Sequence, residues 1–277
     1  MTILPNAKIN IGLNIVGKRP DGYHNLESIF YPIGICDRMQ VDEARDLPKG
    51  TCALSLSGIT IEGRAEDNLV AKAYHIIHKE HGIPAVRVQL DKQIPTGAGL
   101  GGGSSDAAYM LKALNELFSL HIPTDRLETY AAMLGADCAF FIKNQPVYVT
   151  GIGNKFHYDV PIPSLAGKTL LLVKPDVFVS TRDAYSHVCP KPATHPLPQT
   201  IQLPLQQWQG RVVNDFEHSV FPQFPLIQQV KDQIYTLGAS YASMSGSGST
   251  VFGIFETPVN ADLDNIFPGM YTAQIEM

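Results

Sequence analysis

The chain has 277 residues, a net charge of −5, 44% hydrophobic residues and 17% charged ones. That length supports two domains or one elaborated domain with a substantial core. The acidic balance excludes wholesale nucleic-acid binding but leaves room for a local anion site. No run approaches the ~18 apolar residues needed to span a bilayer, and residues 1–10 lack the layout of a secretory signal. Cys36, Cys52, Cys138 and Cys189 are scattered without C-x-x-C spacing, which predicts free thiols in a cytoplasmic protein rather than disulfides or a zinc site.

Residues 7–15 alternate, with Ile9, Ile11, Leu13 and Ile15 on one face and Lys8, Asn10, Gly12 and Asn14 on the other. This period of two predicts a half-buried strand. Taken alone, Lys8 is a solvent-facing lysine on its polar face. Residues 18–24 carry a Pro-Asp-Gly turn signal followed by Tyr23 and His24, for which turn packing and recognition are equally open. Further strand is expected over 28–36, 38–41, 53–57 and 59–61. Asp67 is positioned to cap a helix bearing Leu69, Val70, Ala73, Tyr74, Ile76 and Ile77. His75, His78 and His81 have metal-like spacing but no carboxylate among them, so they read as surface histidines at a helix end.

Residues 86–90 form a strand that delivers the chain, through a polar link at 91–96, to five glycines within 97–103 followed by Ser104, Ser105 and Asp106. A helical stripe then runs through Ala107, Ala108, Met110, Leu111, Leu114, Leu117 and Phe118. Glycines let a backbone approach a ligand closely, and the unpaired N–H groups of a helix start favour an anion. The physical reading is a phosphate cradle. Gly97, Gly99 and Gly102 also satisfy G-x-G-x-x-G, but the polar link is where an apolar strand should lead straight into the turn. The V-A-I-K, H-R-D and D-F-G segments of protein kinases are missing.

Residues 120–125 close one element and cap a second helix striped by Leu127, Tyr130, Ala131 and Leu134, which runs into Gly135 and Asp137 before the apolar residues 139–142. Asp137 is either a helix cap or a functional carboxylate, and its own segment favours the cap. Gly151 and Gly153 mark a turn after the strand at 147–149. The buried-strand pattern at 168–173 suggests that a second half begins near residue ~160. A loop then carries Phe178 and Tyr185, the four prolines of 189–200 suggest a surface loop, and helix is expected from 214 and over 226–237. A second glycine-serine loop, 244–250, feeds the strand VFGIF.

Three segments occur in order: the strand bearing Lys8, PTGAGLGGGSSDAA at 95–108, and MSGSGSTVF at 244–252. Together they resemble the three motifs of the GHMP small-molecule kinases, named for galactokinase, homoserine, mevalonate and phosphomevalonate kinases. AKINIGLNIVGKRPDGYHNLES at 7–28 and LGADCAFF at 134–141 bring the likeness closest to the branch acting on a cytidine-diphosphate-linked methylerythritol. It extends along essentially the whole chain.

The resemblance implies an α/β fold of α+β type, with an ATP-binding domain over 1–160, a C-terminal domain over 161–277 and the active site in the cleft between them. The implied reaction moves the γ-phosphoryl of ATP to the 2-hydroxyl of the methylerythritol unit, a step of the non-mevalonate route to isoprenoid precursors. Carried over by position, Asp137 is the catalytic base, Lys8 its partner, and Asn10 lines the same pocket. Pro95, Thr96, Gly97, Ala98, Gly99, Leu100, Gly101, Gly102, Gly103, Ser104 and Ser105 wrap the ATP phosphates. Tyr23 and His24 recognise the cytidine end, and Tyr185 stands where the family places an aromatic against cytosine. Mg²⁺ accompanies ATP; its protein ligand is not evident from the sequence, with the Ser105 hydroxyl a candidate only. The implied partners are ATP and a small molecule, with neither nucleic acid nor membrane. Cys138 and Ala139 depart from the Val-Pro pair common after the aspartate, and the Pro-rich stretch from Cys189 is individual to this chain. A mevalonate- or homoserine-type kinase would not need Tyr23, His24 and Tyr185. A catalytically silent nucleotide-binding protein would be expected to lack Lys8 or Asp137, and both are present.

Overall fold

The computed structural model describes residues 1–60 and 64–277. The strands and helices of the first half are β1 (Thr2–Ile3), β2 (Asn6–Lys18), β3 (His24–Cys36), β4 (Arg38–Glu43), β5 (Cys52–Gly58), α1 (Leu69–His81), β6 (Val86–Lys92), α2 (Gly102–Leu117), α3 (Thr124–Leu134), α4 (Phe140–Lys143), β7 (Val147–Thr150) and β8 (Lys155–His157). The second half adds β9 (Thr169–Lys174), α5 (Thr181–Tyr185), α6 (Leu197–Thr200), α7 (Phe216–Gln223), α8 (Pro225–Thr236), β10 (Tyr241–Met244), β11 (Val251–Phe255), α9 (Leu263–Ile266) and β12 (Tyr271–Glu276). Contacts gather these into two compact units. One comprises residues 1–7, 35–96 and 101–145; the other comprises 8–34, 97–100 and 146–277.

The first unit is a four-stranded sheet in the order β1-β4-β6-β5 covered by helices. Its β5–β6 pair is parallel and is connected through α1, as parallel neighbours require. Apolar side chains at period two on β6 and at helical spacing on α1 and α2 meet in a core that includes Val88, Leu90, Tyr74, Ile77, Met110, Leu111 and Leu114. Asn68 rather than Asp67 caps α1, its side chain accepting the Val70 N–H, and Gly82 ends the helix in the left-handed region. Pro123 stands at the cap of α3, which leaves Asp125 in the first turn. The strand expected over 59–61 does not form at Ile59 and Thr60, and Ile61 lies outside the described residues.

The second unit holds two four-stranded sheets, β2-β3-β7-β8 and β10-β11-β9-β12. Leu13 and Ile15 join Leu171, Val173, Phe216, Ile227, Val230, Ile234 and Val251 in its core. Here β2 departs from the expected half-buried strand, for it is buried on both faces from Asn6 to Ile15. The reason lies in its polar face: a Cβ at Gly12 would stand 2.8 Å from Leu197 and 3.0 Å from Val212. Leu197 belongs to the Pro-rich stretch, so that stretch is not merely a surface loop. It is buried at the start of α6. Among the described residues no helix is long and apolar enough to cross a membrane.

Candidate active site

Burial changes what the polar face of β2 can do. Lys8 is 4% exposed and Asn10 2%, which overturns the solvent-facing reading of Lys8. The Lys8 ammonium donates to Asn10 Oδ1 and lies 4.7 Å from the centroid of the Phe30 ring. Asn10 Nδ2 donates to Ser28 Oγ at 3.0 Å, which in turn donates to the Gly12 carbonyl. A buried ammonium and carboxamide are tolerated because each is hydrogen-bonded.

Both glycine loops meet this strand. The Lys8 N–H donates to the Leu100 carbonyl, the Asn10 N–H to Ser245 Oγ, and Ser245 Oγ to the Gly99 carbonyl. Gly99 has φ +74°, and a Cβ there would sit 2.0 Å from the Ser245 carbonyl oxygen. Only glycine permits that approach. Asn214, itself buried, donates to the carbonyls of Met244 and Gly246 and fixes the second loop from below. Residues 97–100, 245–250, Lys8 and Asn10 are therefore one hydrogen-bonded assembly.

The helix after the first loop begins at Gly102, so its unpaired first-turn N–H groups are those of Gly102, Gly103 and Ser104. Gly103 is exposed, and a Cβ there would meet nothing within 4 Å. Ser105 Oγ is buried with no hydrogen-bond partner among the described residues. Asp137 occupies the turn between α3 and α4, half-buried. The residue at the N-cap of α4 is Ala139, so Asp137 is not that helix's cap. Its neighbour Cys138 has a thiol pushed up to about 11 by burial, with a Ser104 hydrogen bond opposing and the Asp137 charge adding. Ser104, Cys138 and Asp137 thus share one environment.

His24 and Tyr185 come together, their rings stacked at 4.9 Å and 26°. Tyr185 also meets Phe216 edge-on at 4.8 Å, and it sits at the end of a short helix rather than in a loop. Burial and the Lys18 charge lower the His24 pKa, which keeps the ring neutral at pH 7. Tyr23 does not join them and is 63% exposed. The Pro-rich stretch contributes residues 191–195 to a cavity of about 190 Å³ shared with Asn14, Arg211, Asp215 and His218. Of the three α1 histidines, His78 is half-buried, bonded to the Ile83 carbonyl and stacked on Tyr74. Among the described residues no group of His, Cys, Asp or Glu could hold a metal ion.

Sequence reasoning passed over Asp37 and Lys92, and took Asp106 only as part of a helix start. Lys92, placed in the polar link, is 1% exposed and ion-paired to both Asp37 and Asp106. A signal existed for two of the three. Lys92 continues the buried face of Val86, Val88 and Leu90, and Asp106 lies on the stripe of Met110, Ala113 and Leu114.

The family model described as GHMP kinases N terminal domain matches residues 68–145, and that described as GHMP kinases C terminal matches 203–264. The chain belongs to the GHMP kinase family, whose members use ATP and a small-molecule acceptor. It is 55% identical to the 4-diphosphocytidyl-2-C-methyl-D-erythritol kinase of Bacteroides fragilis over 92% of each chain, and 52% identical to that of Bacteroides thetaiotaomicron over 92% of each. A crystal structure of 4-(cytidine 5'-diphospho)-2C-methyl-D-erythritol kinase superposes with a TM-score of 0.81 at 29% identity, covering 99% of this chain and 98% of that one. Homoserine kinase from Cytophaga hutchinsonii, at 18% identity and a TM-score of 0.67 over 99% and 93% of the chains, shares the fold.

Proposed function

We propose that this chain transfers the γ-phosphoryl of ATP to the 2-hydroxyl of 4-diphosphocytidyl-2-C-methyl-D-erythritol. The observation that carries this reading is the assembly of Lys8 and Asn10 with both glycine loops, in a chain 55% identical to a kinase named for that alcohol. The halves 1–160 and 161–277 are read as the ATP-binding and C-terminal domains, and the two family models fall one within each.

Phosphoryl transfer asks mainly for positioning and charge stabilisation. Residues 95–105 cradle the phosphates, offering the free N–H groups that open α2. Asp137 accepts the proton of the attacking hydroxyl. The Lys8 ammonium, held by Asn10, offsets charge on the transferring group. Mg²⁺, when bound with ATP, would neutralise phosphate charge. The Ser105 hydroxyl, buried and without a hydrogen-bond partner among the described residues, would be the protein oxygen placed to hold it.

At the cytidine end, a spacing of 4.9 Å between His24 and Tyr185 leaves no room for a third ring. The pyrimidine therefore does not insert between them but stacks on the pair, and the neutral His24 supplies hydrogen bonds. Tyr23, exposed and outside that stack, is read as a further contact to the cytidine end. The test is ADP release coupled to each acceptor in turn. Turnover with the cytidyl alcohol and none with mevalonate or homoserine supports the assignment; turnover with either of the latter instead would sink it.

A further inference from the structure

Behind the glycine loop lies an ion cluster with no part in the roles given so far. Lys92 ends β6 and is buried with its ammonium between two carboxylates, Asp37 from the β3–β4 junction and Asp106 from α2. Asp37 uses both its oxygens: Oδ2 accepts from Lys92, and Oδ1 accepts the N–H groups of Gln93 at 2.6 Å and Ile94 at 2.8 Å. Those two residues lead the chain directly into Pro95. Asp106 Oδ2 accepts from Lys92 at 2.6 Å, one turn into the helix that leaves the loop. The ammonium is also packed beneath that helix start, for a Cβ on Gly102 would lie 3.4 Å from Lys92 Nζ and 3.0 Å from Ile94.

A buried ammonium with two buried carboxyl groups is a costly way to stabilise a fold, since apolar packing of the same volume often does as well. What the cluster adds is direction. It ties the incoming strand end to the outgoing helix start through one cation, and both ends of the loop are held to the same point. We propose that Asp37, Lys92 and Asp106 are positioning residues that fix the two ends of the glycine loop and so set its shape for the triphosphate of ATP. The assignment rests on the kinase function proposed for the chain.

The test compares Asp106→Leu, which deletes the acceptor on the helix side, with Asp106→Asn, which keeps one for Lys92. ATP affinity is measured by calorimetry without acceptor, and KM is measured separately for ATP and for the alcohol. Asp106→Leu is expected to weaken ATP binding tenfold or more with the alcohol KM unchanged, and Asp106→Asn to recover most of that loss. A folded Asp106→Leu with wild-type ATP affinity overturns the proposal, as does an equal rise in both KM values. Should Asp106→Leu not fold, Asp106→Ser, too short to reach Lys92, carries the same two outcomes. Failure of the kinase reading is separately visible, because the unaltered protein would then bind no ATP.

Discussion

Asp137→Asn separates a proton acceptor from a turn residue. The amide keeps the size and much of the hydrogen bonding of the carboxylate but cannot take up the hydroxyl proton. Loss of a general base commonly costs ~10²–10⁴ in rate, and Asp137 does not cap α4, so the melting temperature should hold while single-turnover transfer collapses. Near wild-type transfer in the folded variant would return Asp137 to a structural role. At the other end of the substrate, Tyr185→Ala removes one aromatic face. Such stacks contribute about 0.5–1.5 kcal/mol beyond the area they bury, so the KM for the cytidyl alcohol should rise about three- to tenfold. ATP affinity should not follow, because Tyr185 packs against His24 and Phe216; titrating each ligand alone reads the two effects apart.

At the scale of the element, the glycine loop is not uniform, and its positions make different predictions. Gly99 combines φ +74° with a Cβ position 2.0 Å from a backbone oxygen. Gly99→Ala must therefore push the two glycine loops apart, costing about 2 kcal/mol or more and lowering Tm by several degrees. Gly103 is the reverse case, exposed and with open space around its Cβ position. Gly103→Val should leave Tm almost unmoved and still block the phosphates, because the added branch stands where the first helical turn offers its N–H groups. Thermal melts beside ATP calorimetry decide the matter: wild-type ATP affinity in Gly103→Val would remove the cradle from the helix start. Gly101 and Gly102 are poorer probes. Gly101 has φ +71°, and a Cβ on Gly102 crowds Ile94, so loss of binding there would mix folding with recognition.

For the whole molecule, the ion cluster of Asp37, Lys92 and Asp106 gives stability a pH dependence of unusual sign. Burial, aided by the Asp37 charge, raises the Asp106 carboxyl to about 7 against the pull of Lys92. The folded state then holds a proton that the unfolded chain releases at the ordinary carboxylate pKa near ~4. The stability contributed by that proton is full below the unfolded pKa and is lost as pH rises through about 7. Between pH ~5 and ~8 the wild type should therefore lose stability relative to Asp106→Asn, which carries no such proton. Urea midpoints across that range check it; parallel profiles for the two proteins would contradict the raised carboxyl.

The sequence alone determined a good deal, through features that act locally or in fixed order. Period two marked β2 and β6, helical spacing marked α1, α2 and α3, and glycine density marked both loops, because backbone sterics and side-chain alternation are written residue by residue. The ordered trio of Lys8, the 95–108 loop and the 244–252 loop was enough to show the family. What only the tertiary structure decided is which polar groups are buried and with whom. Lys8 looked solvated, yet it is buried with its ammonium on Asn10 and beside the Phe30 ring, while Leu197 and Val212, ~200 residues away, crowd Gly12 on the same strand. Ser245 entered the site only because Gly99 has no side chain to keep it out. Asp37 found Lys92 across 55 residues of chain, a pairing that no local pattern encodes. Burial and charge pairing depend on what packs against a residue from elsewhere in the chain, whereas periodicity and turn chemistry depend on its immediate neighbours.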